Sequence, residues 1–419
     1  MELWFNRAEV LYTSNSEPSG DQLRVMIVVE GPYLPSAEGA SFRNLMLART
    51  LYSLGFEVRV VLVWRGWDSL VMLRDEPYEI VLIHPDDVYA ASESFEQLIA
   101  AFAPDIIQTK LPSVVVELRA LLERTNFDVP SVLFDCHDVP SGECDEVQAA
   151  LLANAVMCLS GTDRESLIEA GVENVWVVPS IFPDGVCSSD PVARRLGQSI
   201  VFLGNMFYYA NEESIRVIAS SLEPVLNEGG GYSLTAIGAA PVSLMKSLKS
   251  LVEFSGMVGD PVAELRRHDI AVSYTCNGTG QRIKLLHYWA AGLPVVANPL
   301  GFGGHQGVRD SVVVVDDQES LLSAVVDLSE DMTRRVNLGK AGIAIINDRH
   351  TMSAVARLVQ SVYRAASRCL SGDVPLNVGL VPSGPPHWIA ELIEGGRPQH
   401  GDPGIIERLK PMRLASVRV

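Results

Sequence analysis

Positive charge is scarce in this chain. Its 419 residues carry 33 Lys and Arg against 51 Asp and Glu, a formal net charge of -18, which argues against a nucleic-acid partner and gives no general attraction to anionic lipid. Cysteine is sparse too. The six (Cys136, Cys144, Cys158, Cys187, Cys276, Cys369) form no C-x-x-C pair and no His/Cys spacing of a zinc site, so reduced thiols in a cytoplasmic protein are expected. No apolar run approaches the ~18 residues of a membrane span, so no integral membrane contact is expected. The opening MELWFNRAEVLYTSNSEPSGDQ lacks the basic segment and apolar core of a signal peptide. No D-x-D element stands at a strand end, and Asp316 and Asp317 read as a helix N-cap rather than a metal pair, so no residue is assigned to a metal.

What the chain does have is a composition, 47% hydrophobic and 20% charged, that suits a globular enzyme of two to three domains. Apolar strand patterns recur at 24–30, 57–63, 79–83, 105–108, 131–134, 155–159 and 175–178, with helical patterns at 42–54, 93–103, 113–124 and 162–170. This alternation predicts a doubly wound parallel sheet. The proline-rich stretch PSIFPDGVCSSDPVARRLGQ at 179–198 breaks the rhythm and reads as a linker. A second set follows, with strands at 199–203, 233–237, 270–273 and 312–315 and helices at 212–226, 318–328 and 331–347. The expected division is an N-terminal extension over 1–22, a Rossmann-like domain over 23–181, a linker over 182–198 and a second Rossmann-like domain over 199–350. A closing helix over 351–370 and a Pro- and Gly-rich tail over 371–419 complete it. The tail has packing against the N-terminal domain as one option.

The segment GTGQRIKLLHYWAAGLPVVANPLG, from Gly278 to Gly301, places a glycine-framed turn before a helix that stops at Gly292 and gives way to a short apolar strand. Backbone amides and the positive helix end favour an anion there. Gly278 and Gly280 permit close backbone approach. Arg282 and Lys284 stand in the first turn, where basic residues oppose the helix dipole and are harder to explain as structure. A phosphate-bearing ligand is expected. The alternative is that both cations only cover helix surface.

These pieces, with IVFLGNMFYYANEESIRVI from Ile200, YSLTAIG from Tyr232, VEFSGMVGDPVAEL from Val252 and VVVVDDQESLLSAVVDL from Val312, resemble the donor-binding domain of the retaining nucleotide-sugar glycosyltransferases of the GT-B fold, the group 1 or family 4-like transferases. The resemblance is strongest over about 150–366. It implies two Rossmann-like domains facing each other across a cleft. It implies a nucleoside diphosphate sugar as donor, no cofactor besides that substrate, and an acceptor (small molecule, lipid carrier or glycan) held by the N-terminal domain.

On residues, the resemblance places Gly204 and Asn205 near the donor diphosphate, with Arg282 and Lys284 in place of the Arg and Lys that many relatives carry beside Asn205. Gly256, Met257 and Val258 match the backbone that receives the base, and Gly278, Thr279, Gly280, Gln281 and Leu285 belong to the donor loop and helix. Thr279 and His287 stand where many relatives have two glutamates, the second of which binds ribose hydroxyls. Gly39 and Ala40 match a Gly-Gly pair near donor phosphate and acceptor. His137, which follows an apolar strand in FDCHDVPSG, matches a histidine that contacts the transferred sugar. The residues alone leave open that Asp138 caps the following helix and His137 is structural. His305 in GFGGHQG is a weaker candidate for the sugar, against a flexible connection. A catalytically degenerate GT-B protein supporting a partner transferase is the second reading, motivated by His287, and a nucleotide-sugar epimerase the third.

Overall fold

The computed structural model describes residues 9–10, 22–30, 39–63, 76–83, 88–124, 130–137, 139, 144–187, 190–193, 197–227, 231–277, 281–305 and 307–368. Asp138, the loop residues Gly278, Thr279 and Gly280, and the tail from 369 onward lie outside the described residues.

The first sheet is built from β1 (Glu9–Val10), β2 (Arg24–Glu30), β3 (Glu57–Val63), β4 (Glu79–Ile83), β5 (Ile106–Thr109), β6 (Ser131–Cys136), β7 (Ala155–Cys158) and β8 (Val175–Val177). Their order is β1-β4-β3-β2-β5-β6-β7-β8. β1 alone runs antiparallel, on the edge. Helices α1 (Gly39–Ser53), α2 (Val88–Phe102), α3 (Pro112–Arg124), α4 (Asp145–Leu152) and α5 (Gly161–Glu169) connect these strands. Runs such as Val25 to Val29 are buried along their whole length, as expected for parallel strands covered on both faces.

The second sheet comprises β9 (Ser199–Leu203), β10 (Ser233–Ile237), β11 (Glu253–Gly256), β12 (Ile270–Ser273), β13 (Val295–Ala297) and β14 (Val312–Val314). It is parallel throughout, in the order β11-β10-β9-β12-β13-β14. Helices α6 (Tyr209–Asn227), α7 (Val242–Leu248), α8 (Pro261–Leu265), α9 (Ile283–Ala290), α10 (Gln318–Glu330) and α11 (Met332–Arg349) connect it, and α12 (Met352–Arg368) ends the described chain. The architecture is thus two parallel-rich α/β sheets, each with a switch point: between β2 and β5 in the first, between β9 and β12 in the second. Ligands in such sheets bind outside the carboxyl ends of the strands at that switch.

The chain crosses between the sheets twice, and the crossings are tied together. Phe182 N–H donates to the His350 carbonyl (2.6 Å), and Met352 N–H donates to the Phe182 carbonyl (3.1 Å). After the second crossing α12 returns to the first sheet, packing on α1, β5 and β6. Val355, Val359, Val362 and Tyr363 are buried there, while Leu358 turns outward. The Tyr363 hydroxyl donates to Gln108 on β5.

Candidate functional site

At the carboxyl end of β9 the chain bends through Gly204 and Asn205 into α6. Gly204 N–H donates to the Ile237 carbonyl (2.9 Å) and Met206 N–H to the Ala239 carbonyl (2.8 Å), so this turn is bonded to the end of β10. Gly238 N–H in turn donates to the Gly256 carbonyl at the end of β11 (2.8 Å). Gly238 has φ +127°, and a Cβ on it would lie 2.1 Å from the Gly204 carbonyl oxygen. Only glycine lets these strand ends approach so closely. Met257, next after Gly256, is 60% exposed, and Val258 is partly buried against the core.

Lys284 reaches back across this turn from α9. Its Nζ donates to Asn211 Oδ1 (2.8 Å) and stands 4.1 Å from the centre of the Phe202 ring, a cation–π contact. Asn211 also donates from Nδ2 to the Asn205 carbonyl (3.0 Å), so the Gly204–Asn205 turn and the α9 cation belong to one polar network. Burial and the neighbouring Arg282 push the Lys284 ammonium down to about 7. Arg282 is the N-cap residue of α9, and its Nε donates to the Leu300 carbonyl (3.0 Å). Leu285 is fully buried, with its N–H on the Arg282 carbonyl (3.1 Å).

Gln281 bridges the two halves. Its Oε1 accepts from Ser180 N–H (3.0 Å), and its Nε2 donates to the Gly304 carbonyl (3.4 Å). The glycine-rich stretch from the 3-10 turn Pro299–Phe302 to Gly304 is packed rather than loose. A Cβ at Gly301 would sit 1.5 Å from the Ser273 carbonyl oxygen, and one at Gly304 2.6 Å from Gln281 Cα. His305 is buried, donates from Nε2 to the Arg282 carbonyl (3.0 Å) and stacks edgewise on Trp289 and His350. Burial and His350 hold it down at about 3. It is a neutral core histidine under the loop.

His287 is only 8% exposed. It donates from Nδ1 to the Ile283 carbonyl one turn back (3.2 Å), and its ring lies 5.3 Å from Phe42 of α1 and 5.2 Å from Phe182 of the crossing. Phe42 and Phe182 are themselves 5.6 Å apart. The three rings form a box joining α9 to the first sheet's α1. Burial holds the imidazole below its ordinary value and neutral.

Next to Phe42 on α1 is Arg43, which is 1% exposed and forks onto Asp135 of β6, 0% exposed. Arg43 Nη2 donates to Oδ1 (2.7 Å), Nε donates to Oδ2 (2.9 Å), and Nη1 donates to the Val178 carbonyl (2.9 Å). The second Asp135 oxygen also meets His137 Nε2 (3.0 Å), just past the carboxyl end of β6. Burial alone would raise the Asp135 carboxyl, but Arg43 and His137 beside it hold it well below the usual range. The sequence singled out His137 but not Asp135; an aspartate inside the apolar run VLFDC was the signal for it.

The structure therefore brings Gly204, Asn205, Gly256, Lys284 and Arg282 to the carboxyl edge of the second sheet. Through His287, Phe42 and Arg43 it links that edge to His137. Gly39 and Ala40 open α1. Asp317 caps α10 as expected, accepting from Ser320 N–H (2.7 Å).

Residues 197–331 match the profile of the family described as Glycosyl transferases group 1; this span holds every candidate of the second sheet. No curated protein sequence matches the chain. Among solved structures, HepE of Anabaena in complex with UDP and glucose is similar over 82% of this chain and 100% of its own, at 13% identity and a TM-score of 0.67. Sucrose-phosphate synthase of Thermosynechococcus elongatus matches over 82% and 99%, at 14% identity and a TM-score of 0.63. A glycosyltransferase of Rickettsia africae matches over 83% and 99%, at 15% identity and a TM-score of 0.60. The likeness establishes the GT-B fold that the sequence motifs implied. No helix among the described residues is long and apolar enough to cross a membrane.

Proposed function

We propose that the protein is a glycosyltransferase that moves a hexose-type sugar from a nucleoside diphosphate sugar to an acceptor held by the first sheet's domain, with retention of anomeric configuration. The observation that carries this reading is the Lys284–Asn211–Asn205 network, which sets a cation beside the Gly204 turn inside the segment matching group 1 transferases. Lys284, Arg282 and the amides of the 278–282 loop are read as the groups that stabilise charge developing on the leaving diphosphate. Gly256, Met257 and Val258 take the base through backbone. His137 contacts the transferred sugar. The anomeric carbon–oxygen bond to phosphate breaks while the acceptor oxygen bonds the same face, and a donor phosphate oxygen removes the acceptor proton. No protein nucleophile or cofactor enters this scheme. A soluble, cytoplasmic setting fits it.

UDP is the first nucleotide to try, because HepE of Anabaena carries it. Calorimetry with UDP, GDP, TDP and ADP is expected to show binding of one of them, and no binding to any would sink the proposal. Lys284→Ala should weaken that binding by about 1.5–3 kcal/mol, the worth of a hydrogen bond to a charged group. Unchanged affinity would remove Lys284 from the site.

The His287 box favours one rival. A histidine packed against Phe42 and Phe182 occupies the place of an expected ribose-binding carboxylate, as in a degenerate protein that stabilises a partner transferase. Release of UDP from a UDP-sugar by the isolated chain decides for the enzyme.

A further inference from the structure

The Arg43–Asp135–His137 chain is graded in burial. Arg43 and Asp135 are sealed from solvent, and His137 is 17% exposed. No ligand in the cleft can touch the first two, yet a buried ion pair is costly to build and is not needed to hold a sheet together. Asp135 is ionised and can only accept, so the 3.0 Å contact with His137 requires the hydrogen to be on Nε2. The partner of one imidazole nitrogen fixes the tautomer, and so decides what the other nitrogen presents. Among the described residues Nδ1 of His137 has no hydrogen-bond partner.

We propose that Asp135, clamped by Arg43, is a positioning residue that locks His137 in the Nε2–H form and so offers Nδ1 to the cleft as an acceptor for a hydroxyl of the transferred sugar. Arg43 serves this in two ways. Its bidentate grip fixes the carboxylate plane, and its further bond, to the Val178 carbonyl, anchors the pair to the segment entering the interdomain crossing. Toward a bound sugar His137 is then an acceptor, which favours a neutral, hydroxyl-bearing sugar over one presenting a carboxylate. The catalytic half of this proposal rests on the glycosyltransferase reading; the tautomer half does not.

The test uses the full chain labelled with 15N-histidine, with His137 assigned by its loss in His137→Gln. Long-range 1H–15N correlation at about pH 8, where an ordinary imidazole is neutral, is expected to show a protonated Nε2 and a lone-pair Nδ1. In Asp135→Asn the amide can donate to the ring, and the signal should move toward the other tautomer or average between the two. A wild-type ring protonated at Nδ1, or a wild-type pattern kept in Asp135→Asn, would overturn the proposal. If the single variant does not fold, Arg43→Met/Asp135→Asn, which leaves no buried charge, serves for the same reading. With UDP-glucose hydrolysis as the second readout, Asp135→Asn should lower kcat about 10- to 100-fold with KM within about threefold. A raised KM at unchanged kcat counts against it. Absence of turnover in the wild-type protein would instead strike the donor reading, and the tautomer would still be decided by the spectra.

Discussion

Lys284 is placed under opposing demands. Burial and the neighbouring Arg282 disfavour charge and hold the group at about 7, while the Phe202 ring and Asn211 Oδ1 favour the ammonium. Below that value it is protonated in both the folded and unfolded chain. From about 7 up to the ordinary lysine range only the unfolded chain holds the proton, so this residue's contribution to stability increases with pH across that window. A bound diphosphate acts the other way by favouring the ammonium. Diphosphate binding above about pH 7 must therefore take up a proton, and UDP affinity is expected to fall between pH 7 and 8.5, approaching tenfold per unit. Calorimetry in buffers of different ionisation enthalpy measures the uptake, and Lys284→Arg should flatten the profile because arginine stays charged. A pH-independent affinity in the wild-type protein would contradict this. At Arg43 the demand is structural as well. Arg43→Met leaves the buried Asp135 without its guanidinium partner, and should cost about 3–5 kcal/mol in urea unfolding.

Secondary-structure elements were legible in proportion to their burial. β2, β3, β9 and β10 are predominantly apolar, with only Arg59 and Thr235 as polar residues inside them, and appear where the sequence put them. β11, reading EFSG, did not announce itself as a strand; it is a short edge strand with alternating exposure and one large apolar residue. The short helices α7 and α8 were missed for the same lack of periodicity. β6 runs two residues further than its apolar pattern, because Asp135 is neutralised by Arg43 rather than turned to water. The ends of β9, β10 and β11 depend on Gly238, whose φ of +127° and 2.1 Å Cβ clash leave no room for a side chain. Gly238→Ala should lower stability by about 2 kcal/mol or more and weaken nucleotide binding with it. Thermal melts with and without UDP check both, and an unperturbed melt would show that the strand ends can part.

At the scale of the molecule, the two sheets are joined by aromatic packing and by a paired crossing. Phe182 takes part in both: its ring meets Phe42 and His287, and its backbone bonds residues 350 and 352. Truncating it removes a side chain that is 2% exposed. Phe182→Ala should cost about 3–5 kcal/mol and, if the box sets the spacing of the halves, broaden the distribution of domain separations seen by solution scattering. A destabilised protein with an unchanged scattering profile would mean that the backbone crossing alone holds the halves. Domain closure around a ligand turns on a few such junction residues, so in the proposed transferase the same variant should raise KM for a nucleotide sugar.

By itself the sequence determined the two α/β units, most of their strands and helices, and the Asp317 cap, because strand burial, helix periodicity and turn chemistry are local and are written in neighbouring residues. Tertiary structure decided what those motifs touch. His287 packs against Phe42, 245 positions earlier in the chain. Arg43 and Asp135 lie 92 positions apart, and Lys284 and Asn211 lie 73 apart. None of these pairings has a local signature. Each arises only when the strand ends and helices meet, and whether a histidine faces a ligand or a wall of rings depends on that meeting.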